Sequence, residues 1–258
     1  MADIFHRSRL LLGNSNFAKL SKVKIIIFGI GGVGSWCAES LIRSGVQNIT
    51  IVDSDHVSVS NINRQAMANV NTVGQEKTEA LKNLLLQINP EANIITKQLV
   101  YSAENSSEFH LDDYDYIVDA IDSIKNKVHL IQTATKTNAV LFSAMGAALK
   151  ISPEKIKVAE FWKISGCPLA ASLRKRFKQF GMPSKKFLCV YSDEYMDVKD
   201  HAQTDTCDKC QDEKEVSESF FPDDIAHTKT VINGSIVHIT GIFGFTLAGL
   251  LIEDICRN

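Results

Sequence analysis

From Lys24 onward the chain alternates short apolar runs with amphipathic stretches. Lys24–Phe28, Asn48–Asp53, Asn93–Leu99, Tyr114–Asp119 and Ala139–Ala144 are short and rich in Ile, Val and aromatic residues, which predicts strands. Between them, Val33–Ser44, Lys77–Ile88 and Ser123–Thr137 have helical patterning. Such alternation predicts an α/β fold, Rossmann-like, with a mostly parallel sheet and helices on both faces. Asn89-Pro90 ends the Lys77 helix, because proline cannot continue it and disfavours helix in the residue before. Beyond Gly146 the pattern is mixed: Ile151–Glu160 reads as β, Pro168–Phe180 as a helix with proline at its start, and Leu188–Tyr191 as a strand. Asp193–Thr228 is acidic, lacks periodicity and is expected to be a mobile crossover loop. Residues 1–258 read as a single domain, with a core over about 7–145 and a mixed C-terminal extension over about 146–258. Ser235–Ile252 is apolar for about the length of a membrane span, but His238 and several glycines interrupt it. It is expected to be a helix buried against the sheet or a second subunit, with membrane attachment as the alternative.

The first predicted strand runs into Gly29, Gly31, Gly32 and Gly34 of KIIIFGIGGVGS, and then into a helix. Glycines there let the backbone turn sharply and approach a phosphate, whose charge the first helical N–H groups face. Asp53 closes the next strand 19 residues past Gly34, where a carboxylate can hold a ribose hydroxyl. Alone, this is a nucleotide-binding fingerprint, most often for NAD or FAD. The continuation adds Asp55, Asn61, Asn63 and Arg64 in one turning polar segment. Lys77 opens a helix 13 residues after Arg64, and Asp119-Ala120-Ile121-Asp122-Ser123 ends a later strand. A dinucleotide oxidoreductase has little use for an Arg, a Lys and an Asp around a phosphate tail. An enzyme that cleaves ATP between the α- and β-phosphates needs all three. The cations stabilise the growing charge and the carboxylate can hold Mg²⁺. Ligands collect at the carboxyl ends of strands in α/β sheets, so Arg64, Lys77 and Asp122 are expected to converge there, facing phosphates and not the core. For Asp122 the competing role is a helix cap; for Asp119 it is a structural end to the strand.

A net charge of −2 and a pI near 6.4 predict no global nucleic-acid field. The N-terminus has no apolar segment long enough to read as a secretory signal, and six scattered cysteines read as reduced thiols, so a cytoplasmic location is expected.

The linked motifs GIGGVGS, DSDHVSVSNINRQ, VGQEK, INP and DAIDS resemble the ATP-binding domain shared by ubiquitin-activating enzymes and bacterial sulfur-carrier adenylyltransferases, over about Arg7 to Ala144. Downstream, Cys167–Arg174 (CPLAASLR), CVYSDE and GIFGF resemble one branch, the tRNA threonylcarbamoyladenosine dehydratases. The resemblance implies ATP and Mg²⁺, the latter on Asp122, with Arg64, Lys77 and Asp122 catalytic. Gly29, Gly31, Gly32, Gly34, Asp53, Asp55, Asn61, Asn63, Asp119, Ala120 and Ser123 join them around the nucleotide. It implies a threonyl carboxylate activated as an acyl-adenylate and closed into a ring by a nitrogen of the same modification. It also implies a homodimer in which Arg7 reaches the partner's ATP, with Arg9 as competing candidate. Adenylation of a ubiquitin-like sulfur carrier is the first alternative; a non-catalytic nucleotide-binding partner of a cysteine desulfurase is the second.

The remaining motifs decide less. Cys207-Asp208-Lys209-Cys210 is a single CxxC, whereas a closed zinc site needs four ligands. Cys189 in an apolar strand and Cys167 before Pro168 are weak candidates for a nucleophile, and a ring-closing dehydratase needs none. Arg174–Lys186 holds six cations and no acid: Arg174, Lys175, Arg176, Lys178, Lys185 and Lys186. Such a run is a solvated helix face or, within the dehydratase resemblance, a tRNA-binding surface.

Overall fold

The structure, a computed structural model, describes residues 3–196 and 233–257. One sheet contains β1 (Lys24–Phe28), β2 (Asn48–Val52), β3 (Asn93–Lys97), β4 (Tyr116–Asp119), β5 (Val140–Ala144), β6 (Ile156–Glu160) and β7 (Leu188–Ser192). The helices are α1 (His6–Lys22), α2 (Gly34–Ser44), α3 (Lys77–Ile88), α4 (Ile124–Ala134), α5 (Pro168–Phe180) and α6 (Val237–Arg257). Strand order is β3-β2-β1-β4-β5-β7-β6, and every neighbouring pair is parallel except β6 with β7. This is the expected α/β fold with its mixed C-terminal part. β1 sits between β2 and β4, so the order reverses there and leaves a crevice at the carboxyl edge.

Side chains on β1 alternate between two cores. Ile25 and Ile27 pack with residues of α2, α3 and α6, whereas Ile26 and Phe28 pack with those of α4 and α5. Both faces are buried, which explains the unbroken apolar run. The antiparallel edge follows from an extra pass of the chain. Gly166 lies against Asp193 just past β7, so the chain returns to the carboxyl edge before α5 begins.

The N-terminal helix α1 was not expected. It has little amphipathic contrast, and Gly13 breaks it at φ +78°. Phe17 anchors it over Gly45, where an added Cβ would come within 2.5 Å of the ring. The C-terminal apolar run forms α6, long and apolar enough to cross a membrane by length and composition. Its buried residues Ile239, Phe243, Leu247, Leu251 and Ile255 recur at every fourth position and join the core. Gly244 lets its backbone meet α2, since a Cβ would lie 2.5 Å from the Val33 carbonyl oxygen. One side of the helix is thus apolar because it belongs to the core, while Val237 and Phe245 on the other side are exposed. Of the acidic Asp193–Thr228 stretch, only 193–196 is described; Cys207 and Cys210 lie outside the described residues.

Candidate active site

The glycine loop joins β1 to α2 at the carboxyl edge. Gly29 adopts φ +78°, and an added Cβ would approach the Ala120 carbonyl oxygen to 2.7 Å. A side chain at Gly34 would collide with the Gly29 backbone. The loop is therefore closed on itself and pressed against the end of β4. At Gly32 the close neighbours are Thr240 and the stem of Arg64, the latter 3.4 Å from an added Cβ. The stem of Arg64 thus lies against the glycine loop.

Asp53 ties the loop to β2. One carboxylate oxygen accepts from Ile30 N at 2.9 Å, the other from Asp55 N at 3.0 Å. Burial pushes the Asp53 carboxyl above its ordinary value, against the opposing pull of Lys77 and these N–H groups. Each oxygen keeps a second lone pair that can accept a further hydrogen bond. Asp55 in turn pairs with Lys77, Nζ to Oδ2 at 2.7 Å, and its carbonyl accepts Lys77 N. Lys77 is more buried than expected: its side chain is only 5% exposed, against 55% for Asp55. The exposed carboxylate thus holds a buried ammonium.

The 58–66 loop is held by its own amides. Asn61, buried, accepts Ser58 N through Oδ1, and the exposed Asn63 donates through Nδ2 to the Ser235 carbonyl at 2.9 Å, so both hold the loop. Arg64 Nη1 donates to the Ser60 carbonyl at 2.8 Å and to Asn63 Oδ1. Two residues that sequence reasoning missed connect this loop to the glycines. Ser35, fully buried, donates to the Gly31 carbonyl at 2.7 Å and accepts Ala66 N at 3.1 Å. Trp36 Nε1 donates to the Arg64 carbonyl at 2.9 Å. A hydroxyl directly after the last glycine was the available signal for Ser35; nothing local marked Trp36.

After β4 the acids divide. Asp119 is fully buried, paired with Lys127 at 2.9 Å and accepting from Ser143 Oγ at 2.6 Å. It points into the protein and cannot contact a nucleotide at the edge, which corrects that expectation. Asp122 is exposed, two residues past Ala120. Ser123, also exposed, occupies the cap position of α4, so Asp122 is not the cap. Among the described residues no cluster of three His, Cys, Asp or Glu could hold a metal. A single exposed carboxylate suits Mg²⁺ all the same, because Mg²⁺ takes one or two carboxylates with phosphate oxygens and water.

The other expected positions lie apart. Arg7 is exposed on α1, which packs chiefly against α6; near the start of α1, Phe5 lines a cavity with Arg43 at the end of α2 and Ile88 at the end of α3. Both helices end at the amino edge, so within one chain Arg7 is on the wrong side of the sheet. Arg9 is paired with Asp3 and stacked over Phe17, which accounts for it structurally. In the basic run, Arg174 donates to the Ile164 carbonyl at 2.9 Å, and Lys185 donates to the carbonyls of Thr137 and Ala139. Arg176 is half-buried and also engaged. Lys175, Lys178 and Lys186 are exposed. Cys167 and Cys189 are buried, and burial pushes the Cys189 thiol well up, which suppresses nucleophilicity.

The arrangement sets Arg64 against the glycine loop and ties that loop through Ile30, Asp53 and Asp55 to Lys77, with the exposed Asp122 two residues past Ala120. The tRNA threonylcarbamoyladenosine dehydratase of Bacillus subtilis is 37% identical over 75% of this chain and 76% of its own length. That of Escherichia coli is 38% identical over 71% of each chain. The crystal structure of the E. coli dehydratase TcdA in complex with ATP superposes with a TM-score of 0.81 at 28% identity, covering 98% of this chain and 93% of that one. The ThiF family profile matches residues 5–256, nearly the whole sequence, and the chain belongs to the ThiF family.

Proposed function

We propose that this protein is an ATP-dependent, cytoplasmic tRNA threonylcarbamoyladenosine dehydratase. The observation that carries the adenylating half is the closed circuit at the carboxyl edge: Gly32 under Arg64, Gly29 on Ala120, and Ile30–Asp53–Asp55–Lys77 in hydrogen-bonded sequence. Likeness to named dehydratases over two thirds or more of the chain carries the substrate.

In this reading the glycine loop and Asp53 hold ATP, with Ala120 and Ser123 flanking it. Arg64 and Lys77 neutralise the phosphates as charge moves toward pyrophosphate. Asp122 would hold Mg²⁺, which supplies further charge stabilisation on the phosphate oxygens. The threonyl carboxylate displaces pyrophosphate from the α-phosphorus, and a nitrogen of the same modification then displaces AMP from the acyl carbon. Intramolecular attack has a high effective molarity, so positioning suffices for the second step. The test is ATP–pyrophosphate exchange with bulk tRNA or with ubiquitin-like carriers as stimulant. Stimulation by tRNA is expected; stimulation by a carrier alone would move the protein to the sulfur-carrier branch.

The tRNA surface comprises Lys175, Lys178 and Lys186, not the whole basic run, because Arg174 and Lys185 are spent on internal carbonyls. Lys175→Ala/Lys178→Ala is expected to weaken tRNA binding and to flatten its salt dependence by about one unit of slope for each phosphate no longer neutralised. Arg174→Ala is expected to lower the melting temperature instead. Equal salt slopes for the double variant and the unmodified protein would remove α5 from the tRNA surface.

A further inference from the structure

Among the described residues Lys127 is the largest charged side chain that is fully buried, and it stands in the first turn of α4. That place is costly twice over. Burial strips the ammonium of water, and the helix N-terminus carries a partial positive charge of its own. Asp119, at 2.9 Å and equally buried, offsets the charge. A buried pair of this kind contributes little net stability against an apolar replacement of the same shape, so stability alone is a weak reason for keeping it. Its hydrogen bonds show what else it does. Lys127 Nζ donates to the Ile121 carbonyl at 3.0 Å, and Asp119 Oδ1 accepts Ile121 N at 3.2 Å. The pair grips both sides of one residue in the turn from β4 to α4. Ser143 on β5 fixes Asp119 from the neighbouring strand at 2.6 Å. Ala120, just before the gripped residue, is the wall against which Gly29 closes; Asp122, just after it, is the exposed acid of the site.

We propose that Lys127 is a positioning residue of the adenylation site, holding the Ala120–Asp122 turn so that Asp122 and the glycine loop keep the geometry that receives nucleotide and Mg²⁺. This rests on the adenylating function above. Loss of a side chain that orients a metal-binding group typically costs about 10–100-fold in affinity or activity.

The experiment compares the unmodified protein with Lys127→Met and Lys127→Met/Asp119→Asn. The single variant strands a buried carboxylate and is expected to be unstable; the double variant has no buried charge and is expected to recover its melting temperature. The Mg²⁺ dependence of ATP binding, by calorimetry, and pyrophosphate exchange are then measured on the double variant. We expect the Mg²⁺ needed for half-maximal binding to rise, and exchange to fall, by about tenfold or more although stability is restored. Stability, Mg²⁺ dependence and exchange all returning to the unmodified values would overturn the proposal. So would a double variant that stays unstable, since the pair would then serve stability. An unmodified protein that binds Mg²⁺ and ATP yet gives no exchange would sink the function, while the binding series still decides on Lys127.

Discussion

Lys77→Met is expected to lose about a hundredfold in pyrophosphate exchange, corresponding to roughly 3 kcal/mol for one preorganised charge at the transferring phosphate. Methionine is the informative replacement, since the Lys77 side chain is nearly enclosed and alanine would leave a void. The fold should survive, because the carboxylate left behind on Asp55 is more than half exposed and water can solvate it. The same variant tests the proposed dimer. Arg7 is on the amino edge of its own sheet, so only a partner chain could bring it to the nucleotide. Mixing Lys77→Met with Arg7→Ala chains should then rebuild one complete site per hybrid dimer and restore part of the activity. Full exchange by Lys77→Met alone would remove that lysine from the mechanism; no recovery on mixing active-site-complementary chains would remove Arg7.

Gly34→Ala should be as damaging by a different route. The new methyl group would strike the Gly29 carbonyl, whose two atoms are its nearest neighbours and, as backbone, cannot rotate away. Either the glycine loop opens or the start of α2 moves, and Ile30 leaves the carboxylate of Asp53. Overpacking of this kind costs about 1–3 kcal/mol in stability. ATP affinity should fall further, since the displaced loop is the phosphate cradle itself. Gly249→Ala is the control: it lies on the exposed side of α6 with no atom near an added Cβ, and alanine should stabilise that helix by about 0.5–1 kcal/mol. Calorimetry showing normal ATP binding by Gly34→Ala would mean that the loop does not cradle the nucleotide.

Those parts of the protein that local physics controls were legible in the chain alone. A buried parallel strand must be apolar on both faces, and a loop touching backbone on one side and phosphate on the other must be glycine. Hence β1, the four glycines, Asp53 and the alternation up to β5 could be read, and with them the carboxyl edge of the sheet. Proline at its start likewise marked α5. The partner of each polar group, by contrast, emerged only from the packed fold. Asp119 and Asp122 lie three residues apart in a turn, yet one faces Lys127 in the core and the other faces solvent. Arg174 and Lys178 belong to one basic run, yet one binds a carbonyl and the other is exposed. Lys127 itself looked like any cation on a helix. A charge has no periodicity of its own: its burial depends on which acid or carbonyl a distant strand places beside it, and that is settled only when the layers pack.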